Sequence, residues 1–326
     1  MADPTGSQQV GFWLLLGLTS TAFAEGLFPT TAFDPATMAL FAVPIYLLHS
    51  VVLAGVVCRA DGVRYQTLYL AGVLLGLYEA YVTKVVWAPL GDRPVLEVGG
   101  VYLFETVGLV LFWHPVVAFL LPVAVVETVA TASDRSLRPP LAGHRFARPL
   151  VGAVALSLLL FQGSLGGPVR ALLGNAVALS ILLVGLFVWR RTDGHTHDMQ
   201  ALLPGGRTLG VLAVCLVGVA IGLGAVIRPE ALPTRPMPHL LVLVMYLVAG
   251  GLLAVLLRGD KPPSASVSVG VTWRRILTGS GAILLGSPVL GGVGASLALL
   301  VFLSYYAVAV GVGAASLGAV ALVLRS

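Results

Sequence analysis

The chain has 326 residues, 58% of them hydrophobic and only 10% charged, with a mean hydropathy of +0.97. That much apolar surface cannot be hidden in one water-soluble core, so the composition excludes a soluble globular protein and points to a bilayer. The net charge of +5 does not indicate a nucleic-acid partner, because the basic residues alternate between loops along the chain and mark its two sides.

Apolar runs of about 18 to 25 residues recur from end to end, separated by short polar turns. They predict an all-α, polytopic transmembrane helix bundle of about ten spans, at residues 10–28, 36–58, 65–88, 101–131, 148–165, 169–189, 208–227, 238–257, 271–289 and 293–323. The first run competes with a signal-peptide reading, since TSTAFAEG offers an A-x-A cleavage pattern after FWLLLGL; nine spans remain if residues 1–24 are removed. Against cleavage, the stretch before it has no Lys or Arg and carries Asp3. Residues 279–296 are glycine-rich and hold Pro288, so the chain is expected to break, re-enter or turn there.

With the amino terminus in the cytoplasm, fourteen basic residues fall on the inner side: Arg59, Arg64, Arg135, Arg138, Arg145, Arg148, Arg190, Arg191, Arg207, Arg258, Lys261, Arg274, Arg275 and Arg325. Four, Arg93, Arg170, Arg228 and Arg235, fall outside. This bias predicts a multi-pass protein of the inner cell membrane with both termini cytoplasmic.

The first span brings Glu25 to its outer end, and the second carries His49 near the midplane after Pro44. In the third, Gly72, Gly76, Glu79 and Thr83 follow at spacings of four, three and four and share one face. The two glycines flatten that face for another helix, which turns Glu79 into the bundle. Lys84 lies five residues on, on a different face, and is expected to snorkel toward headgroups beside Trp87.

The fourth span is the richest in polar groups. Glu105 sits at a depth close to that of Glu79, His114 lies near the midplane before Pro115, and Glu127 reaches the inner surface. Nine residues place Glu105 and His114 on opposite faces of an ideal α-helix, and Pro115 is expected to kink it.

The buried polar groups thus fall in an amino-terminal five-helix half, 1–165. The half from 166 to 326 is rich in small residues, among them Gly218 and Gly222 in a GxxxG pair suited to close helix contact. No internal repeat relates the two halves. Cys58 and Cys215 lack metal-like spacing, and DGHTHD at 193–198 reads as a solvated loop rather than a metal site. Walker, GxSxG and HExxH motifs are absent, which argues against ATP-driven transport and serine hydrolysis.

Glu25, Glu79 and Glu105 are therefore expected to form a carboxylate layer with His49 and His114 beneath it. Three such groups in low dielectric cannot all stay charged without a proton, Lys84 or a cation among them. The leading expectation is a transporter of a small solute or ion with Glu79 and Glu105 as proton- or cation-coupling residues and His49 and His114 as a relay or path lining. A membrane-embedded enzyme acting on a lipid or isoprenoid, with or without a metal, is the alternative, and a non-catalytic scaffold is a third. The expected partners are membrane lipid and a small-molecule or ion substrate; no cofactor or metal follows from the residues.

Overall fold

The computed structural model describes residues 3–26, 41–59, 63–89, 96–134, 147–259, 267–268 and 271–325. Arg93, Arg135, Arg138, Arg145 and Lys261, and the start of the expected second span, lie outside the described residues.

Among the described residues, nine long helices make up the body. They are α1 (Gly6–Thr21, continued by one π-turn, Ala22–Gly26), α2 (Val43–Cys58), α3 (Tyr65–Thr83), α4 (Leu103–Ala130), α5 (Ala147–Arg190), α6 (Gly206–Val226), α7 (Pro236–Arg258), α8 (Trp273–Ser296) and α9 (Ala298–Arg325). α5 is broken at Gly167, whose φ of 73° no side chain adopts readily and which precedes Pro168. A short hairpin, β1 (Glu97–Val98) with β2 (Val101–Tyr102), and a long-range pair, β3 (Ser133–Asp134) with β4 (Val267–Ser268), are antiparallel in the connections.

Among the described residues, six helices are long and apolar enough to cross a membrane: α4, the Gly166–Arg190 part of α5, α6, α7, α8 and α9. The other helices fall short of the ten expected spans for identifiable reasons. α1 and α2 have sixteen residues each, and α3 carries Tyr65, Tyr69, Tyr78, Tyr81 and Glu79. α3 tolerates them because it is enclosed: it packs on α4, α7, α6, α2 and α9, and most of its side chains are buried. A helix surrounded by protein need not match the hydrocarbon. α8 runs unbroken through Pro288 and the chain turns only at Leu297, so the break expected within 279–296 lies one residue beyond it.

The most intimate crossing in the core is the one the glycine spacing announced. A Cβ on Gly72 would stand 2.4 Å from the Cα of Pro115, and one on Gly76 2.9 Å from the Cα of Val110. The backbones of α3 and α4 therefore touch. The GxxxG pair of α6 does the opposite. Nothing among the described residues comes within 4 Å of a Cβ built on Gly218 or Gly222, so this pair marks an open face and not a helix contact.

Around Pro115, residues Thr106–Leu120 are wound as a π-helix, far longer than the single turn in which this form usually appears. Side chains satisfy its carbonyls: Tyr305 Oη donates to Gly108 O (3.1 Å), Tyr69 Oη to Leu111 O (2.7 Å) and Ser20 Oγ to Ala118 O. With i to i+5 winding, the carbonyl that Pro115, lacking an N–H, leaves without its ladder donor is that of Val110.

The start of α1, the ends of α2 and α4, the start of α3, the 190–205 connection and the last turns of α9 gather at one end. Gln8 donates to Thr192 O, Trp13 to Leu202 O, Arg59 to Leu203 O and Trp189 to Ala130 O, while Tyr65 meets Ser316 at 2.6 Å. Arg190 closes α4 at this end by donating to Val129 O and Val271 O. Glu25, Lys84 and Arg228 lie at the opposite end.

Candidate functional site

The site is built where α1 ends, α2 begins and α3 passes both. Its first element is the π-turn after α1, which carries Glu25 toward α2, where Tyr46 Oη donates to Glu25 Oε1 at 2.8 Å. Tyr46 is itself buried in the first turn of α2. From α3, Glu79 enters at 8% exposure and lies close enough to Glu25 and to Tyr46 for their charges to be felt. Thr83 does not hold the Glu79 carboxylate; its hydroxyl donates to the Glu79 backbone carbonyl (2.6 Å). Among the described residues the Glu79 carboxylate has no hydrogen-bond donor.

The two histidines lie on the helices beside it. His49, 2% exposed, donates from Nδ1 to Ile45 O at 2.8 Å, because a carbonyl can only accept. That bond fixes the tautomer of the neutral ring and leaves Nε2 an acceptor, and this atom is buried without a partner among the described residues. The His49 ring stands edge-on to Tyr78 with centroids 3.8 Å apart. His114, 6% exposed, is bound in the same manner, Nδ1 to Leu109 O at 3.0 Å, five residues back along the π-helix. The two imidazoles are near enough to interact electrostatically.

Glu105 is buried at 8% exposure in the first turn of α4. The expectation that it faces away from His114 assumed α-helical winding. In a helix bonded i to i+5, nine residues make about two turns, so Glu105 and His114 return to one face. That face is the one α3 meets, since the His114 Cβ lies 3.3 Å from the Cβ position of Gly76. No hydrogen bond joins Glu105 to Glu79 among the described residues. Glu127 is buried near the other end of α4, away from this group.

Lys84 departs from expectation. It does not snorkel: it is 0% exposed, and its ammonium donates to Val82 O (3.1 Å) and Gly224 O, with the Tyr81 ring 5.6 Å away. It therefore caps helix ends and does not neutralise Glu79.

Two groups of the site escaped sequence reasoning. Tyr46 stands 21 residues from Glu25, with no local spacing to link them. Tyr246 of α7 comes within electrostatic reach of Glu79 and Tyr78, although α7 looks like a plain apolar span.

Chemically, the arrangement offers two mutually repelling carboxylates, one held by a phenol and one without a donor, beside a buried imidazole acceptor. Such groups suit the exchange of a proton or small cation. Among the described residues no group of three His, Cys, Asp or Glu side chains is placed to hold a metal ion, the DGHTHD segment included.

A family model described as "Uncharacterized membrane protein family" matches residues 14–325, and the chain belongs to that family. It is a multi-pass membrane protein, consistent with its long apolar helices. It is 32% identical over 216 residues to a protein of Archaeoglobus fulgidus named "Uncharacterized protein". The matched region covers 63% of this chain and 65% of that relative's length. No solved structure matches the chain.

Proposed function

We propose that this family member transports a small solute or ion across the cell membrane and uses Glu79 and Glu25 as its proton- or cation-coupling groups. What supports the reading is that Glu79, without a hydrogen-bond donor among the described residues, and Glu25, tied to Tyr46, come from separate helices and lie within electrostatic reach of each other. Carboxylates are expensive in hydrocarbon and persist where they serve a path. Glu105 sits on the α3-facing side of α4 as a further group on that path, and His49 and His114 act as the relay beneath.

In this reading the chain crosses the inner membrane about ten times, with α1 to α3, both parts of α5 and the remaining helices each counted once. Both termini face the cytoplasm, as the gathering of Arg59, Arg190 and the ends of α1 and α9 at one end supports. The carboxylates then belong to the outer half. A division into an acid-bearing half, 1–165, and a supporting half, 166–326, accompanies it.

The test is flux in proteoliposomes loaded with a pH-sensitive dye, under imposed proton, sodium and potassium gradients. Wild-type protein should move protons or one of these cations, and Glu79→Gln should lower the rate at least tenfold while remaining inserted and folded. Undiminished flux in that variant, or none in the wild type under every gradient, rejects the reading.

One observation favours an enzyme acting on a lipid or isoprenoid: the acids and imidazoles all come from α1 to α4, whereas transporters commonly draw on both halves. A Glu79→Gln protein with normal flux but an altered lipid profile in the host membrane would select it.

A further inference from the structure

We infer that α6 is a lateral gate over the site, hinged at Gly205–Gly206 and latched at its far end by Lys84 and Arg228. What the gate admits rests on the transport reading above; whether it moves does not.

The near end of α6 is anchored through the chain before it. Arg59 donates to Leu203 O at 2.8 Å, and its guanidinium lies against Gly205, 2.5 Å from a Cβ position there. Gly206 follows with a φ of 54° and nothing within 4 Å of a Cβ position. A positive φ at glycine in open surroundings, next to a fixed point, is where a helix can swing with little hindrance.

Near its hinge end α6 packs through Leu209 against Gly55 of α2 and through Leu212 on the main core. Its farther half is held by a small separate cluster, in which Ile45, Tyr78 and Val82 meet Leu216, Val219, Ala220 and Leu223. The other side of the helix, including Val214 and Ile221, is exposed. Beneath the cluster lies the site, for Tyr78 reaches Leu216 O at 3.4 Å on one side and packs on the His49 ring on the other. Lifting α6 therefore uncovers His49 and the neighbour of Glu79.

The latch is polar and confined to the far end. Lys84 donates to Gly224 O of α6, and Arg228 Nη1 donates to Thr83 O of α3 at 3.0 Å. Both residues adopt positive φ, 60° and 48°, to turn back on the opposite helix. Arg228 repels Lys84 and, among the described residues, Glu230 acts against that repulsion, so the latch holds two like charges against carbonyl dipoles. Tyr81 fills the space at Gly224, 2.4 Å from its Cβ position.

The experiment is pulsed electron–electron resonance on full-length protein in nanodiscs, with Cys215 replaced by Ser. One spin label goes on exposed Ile221 of α6 and the other on exposed Leu299 of α9, with Val211 and Leu299 as the hinge-side control. Lys84→Met and Gly224→Ala, which leaves both charges in place but pushes Tyr81 aside, should each lengthen the Ile221–Leu299 distance. Each should also at least double its spread, while the Val211–Leu299 distance stays unchanged. An unaltered distribution in Gly224→Ala, or equal displacement at both ends, overturns the gate whether or not any flux is found.

Discussion

Lys84 and Arg228 each close the helix that the other one ends. Lys84 is the residue just past α3 and donates to Gly224 O in the last turn of α6, while Arg228, just past α6, donates to Thr83 O, the last carbonyl of α3. The terminal carbonyls of a helix have no partner of their own, and a cation among them satisfies both their hydrogen bonding and the helix dipole. Charge-assisted bonds of this kind contribute about 1.5–3 kcal/mol. Lys84→Met is expected to lower thermal stability in detergent by about that amount. In a cycle with Arg228→Met the two losses should fail to add by about 0.5–3 kcal/mol, since both act on one clasp. Additive losses would mean that the two caps work independently.

The two glycine pairs predict opposite responses to the same substitution. At Gly72 a methyl group would run into the backbone of Pro115, which cannot move aside as a flexible side chain would. Gly72→Ala should destabilise the protein by about 1–3 kcal/mol, as overpacking does. At Gly218 nothing is in the way, and alanine should stabilise α6 by about 0.5–1 kcal/mol through helix propensity alone. Unfolding midpoints of the two variants measured side by side check this; the same sign for both would contradict the packing described.

That contrast also shows what the sequence could reveal and what it could not. Gly72, Gly76 and Glu79 lie on one helix, so their shared face follows from 3.6-residue periodicity, and α4 does meet them there. That the chain is an all-α membrane protein was legible for the same reason, since long apolar runs leave few alternatives, whereas the number of spans was not. Other features depend on partners distant in the chain. Nothing near Lys84 announces the Gly224 carbonyl 140 residues away, so the general habit of interfacial lysines gave the wrong expectation. Gly218 and Gly222 carry the spacing of a contact without the contact, because spacing describes one helix and packing needs two. The winding of α4 was hidden as well: Pro115 signals a disturbed ladder, but a kink and a π-helix relieve it equally well, and only the second turns Glu105 to the side of His114.

Tyr46 is expected to set the position of Glu25 without being needed for the fold. Tyr46→Phe removes one hydroxyl and one 2.8 Å bond, a loss of about 1 kcal/mol, and frees the carboxylate to rotate in its π-turn. Infrared difference spectra should show a shifted carboxyl band in Tyr46→Phe that is missing in Glu25→Gln. The same band position with and without the hydroxyl would show that Glu25 is held by something else.

His49 offers the sharpest separation of function from stability. Its Nδ1 is committed to Ile45 O, and its Nε2 is buried at an apolar cost that no donor among the described residues offsets. An unsatisfied buried nitrogen costs about 1–3 kcal/mol, a burden a purely structural residue would not be expected to carry. His49→Phe keeps a ring against Tyr78, whose centroid lies 3.8 Å away, and discards the nitrogen. The variant should therefore unfold at the parent temperature or above it, yet move protons or cations at least tenfold more slowly, the exchange of stability for activity seen at strained functional sites. Thermal unfolding and proteoliposome flux on the same preparation measure both quantities. A variant that loses stability while keeping its flux would mark His49 as a packing residue and leave the carboxylates without a relay.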